Sequence, residues 1–214
     1  MRTRTKLHKV LAGTAMATTM ALMIGAGSAQ STVLVGAETI HITSAYSGGD
    51  SYTQIAELKA FDIHGVDMAL ASNGATASAP NTWQDFNGGV STAAANAIDG
   101  STDGNYLDGA IFHSGTAGAS GYLDVTLATP TDLSRLSIFG RTDCCTWRDI
   151  YSVTIYNSSN DLLYSGTLDA TGPSNSALVS FVPEPTIWAM FLVGFGALGF
   201  MMRGSRRKDA AVMA

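Results

Sequence analysis

Residues 141–148 read RTDCCTWR and hold both cysteines of the chain. Arg141 and Arg148 each present a fixed fork of N–H donors, and Asp143 can pair with one fork and hold it still. Adjacent cysteines have Cα atoms about 3.8 Å apart, closer than the usual disulfide range of roughly 4.4–6.8 Å. A bond between Cys144 and Cys145 would therefore close a tight ring, a rigid apolar knob beside polar donors. Metal ligation by the pair is poor chemistry, because adjacent thiolates cannot both take good tetrahedral positions and no nearby Cys or His set completes a site. Donors beside an apolar wall suit a sugar, which offers hydroxyls at its edge and a C–H face. The same residues also suit a purely structural Arg–Asp network.

A second cluster lies in NAIDGSTDGNY (96–106), where Asn96, Asp99, Ser101 and Asp103 share a glycine-bearing turn. Oxygen ligands in a loop suit calcium. The EF-hand spacing is absent, and an ordinary Asx turn uses the same residue types. The chain has no nucleophile elbow, no HExxH and no phosphate loop, and no carboxylate pair stands out as a glycosidase couple. The expectation is a binding protein and not an enzyme; a polysaccharide hydrolase ranks behind it.

These clusters need a scaffold outside the cytoplasm, and the two ends supply the addresses. Residues 1–29 carry four basic groups and no acid, then an apolar stretch to about Ile24, then Gly27-Ser28-Ala29. This order reads as a signal peptide cut by signal peptidase after Ala29. At the other end Pro183-Glu184-Pro185 stands before the mostly apolar 186–202, and Arg203, Arg206, Arg207 and Lys208 follow. That reads as a single C-terminal transmembrane helix with its basic end (203–208) in the cytoplasm. The last 32 residues resemble the PEP-CTERM sorting tail of Gram-negative bacteria. The resemblance implies recognition by an exosortase and cleavage near the motif, with the product going to the envelope, surface or extracellular matrix. Disulfides persist in that compartment.

Residues 30–182 hold four basic residues against fifteen acidic ones, a formal charge of −11. Nucleic acid is excluded as a partner, because phosphate affinity needs a basic surface. Short alternating runs recur: YLDVTL (122–127), RLSIF (135–139), YSVTIY (151–156), ALVSFV (177–182) and IAELKAFDI (55–63). Period two in short runs, separated by turns such as SGGD, DGSTDGN and DATGPSN, predicts an all-β fold, an antiparallel sandwich or jelly roll. The Ala/Ser/Asn-rich 75–97 reads as an ordered loop anchored by Trp83 and Phe86.

RTDCCTWR also fits the R-x-D-x4-R motif of F-type lectins, the fucose-binding branch of the discoidin-like (galactose-binding-like) jelly rolls, and the resemblance covers most of 38–182. It implies an adjacent-cysteine disulfide, Cys144–Cys145, stacking on the sugar. It implies that His113, Arg141 and Arg148 hydrogen-bond the sugar and that Asp143 orients the arginines. His113 precedes Arg141 with 27 residues between, one more than the family spacing. It also implies a structural calcium on Asn96, Asp99 and Ser101. The family's closing strand is missing at the end of the domain. QIAELKAF resembles it near the beginning, as in a circular permutation, which makes Glu57 the remaining metal carboxylate. The expected function is carbohydrate binding, of fucose or a neutral sugar, in a biofilm exopolysaccharide. The alternative is a non-lectin structural or adhesive envelope protein. Deletion of Pro183-Glu184-Pro185 is expected to trap the protein in the cytoplasmic membrane, read by fractionation; normal release or display would contradict the sorting role.

Overall fold

Thr39 and His41 alternate with Ile40 and Ile42, and the run Leu34–Ser44 forms β1, with both isoleucines fully buried. The computed structural model that places it describes residues 33–181 together with 194–195. Further strands follow: β2 (Tyr52–Ile55), β3 (Glu57–Asp62), β4 (Thr76–Ser78), β5 (Phe112–Ala117), β6 (Tyr122–Phe139), β7 (Ile150–Asn157), β8 (Leu162–Asp169) and β9 (Ser176–Ser180). A short α-helix, α1 (Trp83–Asn87), begins with a capping box between Thr82 and Asp85. The described residues are all-β in architecture, as expected. The signal peptide at 1–29, Pro183-Glu184-Pro185 and the basic end at 203–208 lie outside the described residues, as does all of 186–202 except 194–195. No helix among the described residues is long and apolar enough to cross a membrane.

β6 organises the rest. The sequence suggests two strands, 122–127 and 135–139; the chain runs them together as one of 18 residues. Its first half lies between β1 and β4, and its second half between β3 and β9, all antiparallel. Where the halves meet, β1 steps from Ala37 opposite Thr131 to Thr39 opposite Thr126, so β6 holds extra residues in a bulge. Pro130, which has no N–H to give a ladder, falls inside that bulge. β7 and β8 extend the sheet beyond β1. A separate ribbon pairs β2 with β5 and sets Gln54 opposite His113.

The inward faces of both halves meet in one hydrophobic cluster. Ile40, Ile42, Leu123, Val125, Val153 and Ile155 come from one layer, and Leu58, Ala60, Leu136, Ile138 and Phe181 from the other. Each of these Val, Leu, Ile and Phe side chains contributes roughly 1.5–3 kcal/mol by leaving water. Glu57 departs from the expected pattern. Alternation puts it with Lys59 on a polar face, yet it is fully buried, because the 96–101 turn covers it and the Gly100 N–H reaches its carboxylate. Phe86 departs as well: it is 63% exposed, so Trp83, not Phe86, anchors the 75–97 segment. Leu136→Ala is expected to cost about 3 kcal/mol in urea unfolding, and the solvent-facing Thr126→Ala less than about 0.5 kcal/mol; equal effects would contradict this placement of the core.

Candidate ligand pocket

The arginine loop leaves β6 at Gly140 and returns to β7 at Ile150. Its neck is closed by Asp149, fully buried, whose Oδ2 accepts the Arg141 backbone N–H at 2.9 Å. Gly140 is required there, because a Cβ at that position would collide with the Asp149 carboxylate. The loop leans on the 96–106 turn through Thr142 N–H, which donates to Gly104 O at 2.9 Å. Cys144 and Cys145 form a disulfide with Cα atoms 3.7 Å apart. Cys145 takes the left-handed conformation, φ 62°, which turns the chain into the short 3-10 helix Thr146–Arg148 and brings Arg148 back toward Arg141.

The side chains then converge. Asp143 accepts from Arg141 Nε at 2.7 Å and Nη2 at 2.9 Å, a bidentate clamp. Gln54 Oε1 accepts from Arg141 Nη1 at 3.1 Å, and the guanidinium lies over the Tyr106 ring at 4.8 Å. Arg141 beside Asp143 holds that carboxyl below the usual carboxylate range. Arg148 is buried, pairs through Nη1 with the Asp50 carboxylate, and leaves its Nε without a partner. His113 is 3% exposed, and its Nδ1 lies 2.8 Å from Ser114 O. A carbonyl only accepts, so Nδ1 carries the proton and Nε2 is left as an acceptor. Burial pushes the imidazole down to about 4, and the Arg148 and Arg141 guanidiniums add to the effect. Burial raises Asp149 to about 7 against the opposing Arg141 N–H bond.

These groups surround a cavity of about 290 Å³, lined by Asp50, Tyr52, Trp83, Tyr106, His113, Arg141 and Arg148. Tyr52 and Trp83 meet the His113 ring at centroid distances of 5.3 and 5.0 Å. The cavity thus offers His113 Nε2 and the Asp50 carboxylate as acceptors, two guanidiniums as charged donors, and aromatic walls. Three of the sequence-derived residues, His113, Arg141 and Arg148, line it together, and Asp143 braces one of them. Cys144 and Cys145 lie half-buried in the same loop but are not among its walls. Sequence reasoning missed Asp50, Tyr52, Gln54 and Tyr106. Tyr52 and Gln54 sit in SYTQI, whose last residue opens the alternating run IAELKAFDI, so extending the alternation upstream is the one signal that reaches them.

The expected calcium residues are brought together only in part. Glu57 is a buried carboxylate whose hydrogen bonds come from the Gly100 N–H; burial raises it to about 8 and nearby Asp99 adds to this. Such a group fits a cation. Asp99 Oδ1 accepts the Ser101 N–H at 2.7 Å. The Asn96 amide nitrogen instead donates to the carbonyls of Ser91, Gly109 and Ile111, which holds the turn in shape. Among the described residues no three His, Cys, Asp or Glu side chains gather around one point, so a calcium ion would rest on Glu57, Asp99 and neighbouring neutral oxygens. When bound it would supply charge neutralisation between β3 and the turn.

Comparison with protein families finds a match in the tail, to the PEP-CTERM protein-sorting motif over residues 181–208. The chain carries a PEP-CTERM sorting motif. The motif implies an exported, membrane-associated precursor that an exosortase processes. No curated protein and no solved structure matches the chain. His113 titrates lower folded than unfolded, so its stabilisation is complete above pH about 6.5 and is lost as the pH falls toward 4. Relative to His113→Gln, the wild type is expected to lose on the order of 3 kcal/mol between pH 7 and 4 in urea unfolding. Parallel pH curves for the two proteins would contradict a buried neutral imidazole.

Proposed function

We propose that the exported domain is a discoidin-like jelly roll of the F-type lectin kind that binds a neutral or deoxy sugar of fucose type in exopolysaccharide. The observation that carries this reading is the convergence of His113, Arg141 and Arg148 on one aromatic-walled cavity. A neutral sugar carries hydroxyls that both donate and accept, and an apolar face. His113 Nε2 accepts a hydrogen bond from a hydroxyl, the guanidiniums donate to hydroxyl or ring oxygens, and Tyr52 or Trp83 covers C–H groups. The disulfide knob of Cys144 and Cys145 stiffens the loop between the arginines. Calcium on Glu57, Asp99, Ser101 and the Asn96 turn acts structurally, holding the turn against which the arginine loop leans. The role is recognition, not catalysis: the cavity's carboxylate, Asp50, is engaged by Arg148, and Asp143 beside it is engaged by Arg141.

One observation favours a second reading. Both arginines already have carboxylate partners, as they would in a structural or adhesive envelope protein whose network only packs. The purified full chain, kept in a detergent without a sugar headgroup, is expected to bind fucose-bearing or other neutral glycans on an array in calcium. Arg141→Ala is expected to lose about 10-fold or more, the scale of one or two charge-assisted hydrogen bonds. Absence of any glycan signal, with the folded protein and calcium present, would establish the packing reading instead.

A further inference from the structure

Two arginines in a small cleft ordinarily make an anion site, because guanidinium forks match carboxylate and sulfate oxygens. Here the positive charge is already taken up. Asp143 clamps Arg141 through two hydrogen bonds. Asp50 does the same service for Arg148 from a different part of the chain, the segment between β1 and β2. Its carboxylate contacts Arg148 Nη1, and its backbone carbonyl accepts from the same nitrogen at 3.4 Å. Asp149, fully buried at the neck, accepts the Arg141 backbone N–H and no guanidinium N–H. Each guanidinium thus has a carboxylate partner of its own, and the remaining polar wall group, His113, adds no positive charge at neutral pH. Asp143 and Asp149 belong to the arginine loop itself, whereas Asp50 is an addition that the loop does not need for its own closure. Its side chain is 56% exposed while that of Arg148 is 5% exposed, so the carboxylate stands on the solvent side of the guanidinium, where a ligand arrives.

We propose that Asp50 is a specificity residue: it neutralises Arg148 at the mouth of the pocket, so that the site takes uncharged sugars and turns away uronic and sulfated ones. The inference rests on the sugar reading above and deepens it. Discrimination by placing a like charge against the wrong ligand costs that ligand more than it costs a neutral one. In a matrix polysaccharide with both neutral and acidic residues, that difference selects which residues the domain grips.

The test is equilibrium binding to the folded full chain, followed by tryptophan fluorescence, since Trp83 lines the cavity. The probes are L-fucose and D-galactose as neutral sugars, and D-glucuronate and sulfate as anions. Wild type, Asp50→Asn, Asp50→Ser and the double variant Asp50→Asn with Arg148→Met are compared. The inference predicts that both single variants raise glucuronate affinity relative to the neutral sugar by at least about 10-fold, that the gain shrinks in high salt, and that the double variant loses it. If wild type binds a neutral sugar and neither single variant gains glucuronate or sulfate, the role of Asp50 is overturned while the sugar reading stands. If wild type binds no sugar yet the single variants take up glucuronate or sulfate, the sugar reading fails and the charge role of Asp50 stands. If no variant binds any probe, both fail.

Discussion

Asp149 sits at the neck of the arginine loop with no exposure to water, and one of its oxygens holds the backbone N–H of Arg141. Burying a carboxyl group is costly unless it is hydrogen-bonded, so the contact is made where the chain is forced to pass close, over a glycine. The backbone carbonyl of Asp149 also accepts the Ala170 N–H at 2.8 Å, which ties the neck to the end of β8. From that one constraint the loop acquires its width, and from its width the spacing of Arg141 and Arg148. The disulfide and the left-handed Cys145 then turn the chain so that the second guanidinium returns to the first. Each remaining polar group of the cavity is aimed by a neighbour: Arg141 by Asp143 and Gln54, His113 by the Ser114 carbonyl, Arg148 by Asp50.

This arrangement is more than a loop feature, because it joins three parts of the chain. The β2–β5 ribbon brings Tyr52, Gln54 and His113, α1 brings Trp83, and the 96–106 turn brings Tyr106 and meets the loop at Gly104. The turn in turn covers Glu57 on β3. A cation at Glu57 would therefore act on the pocket through the packing of the turn and not through the ligand itself. The fold's investment in rigid donors, a neutral imidazole and aromatic faces suits recognition of a polyol in a small cleft. The sorting motif at 181–208 marks the chain as an exported, membrane-associated precursor.

The strands that were legible in the sequence are those with one wet face. In β7, Tyr151, Val153 and Ile155 alternate with polar residues and are all buried. The second half of β6 and β9 are legible for the same reason. The central strand β1 is hard to see in the sequence although Ile40 and Ile42 alternate with Thr39 and His41, because its polar face looks like the threonine-rich turns around it. The joining of the two halves of β6 was also hidden: ATPTD (128–132) carries a proline and no apolar period, and its strand character comes from the bulge that lets β6 pass between layers. Within the pocket, His113, Arg141, Asp143 and Arg148 were legible through spacing and residue type. Asp50, Tyr52 and Tyr106 were not, since they reach the cavity from loops and a ribbon whose approach is set by tertiary packing.

Calorimetric titration of the folded, oxidised full chain with L-fucose, first in calcium and then in chelator, tests sugar binding by the arginine pocket. Saturable heat is expected in calcium, weakening in chelator and disappearing in Arg141→Ala. A folded, disulfide-bonded protein that gives no heat with L-fucose in calcium would contradict that binding.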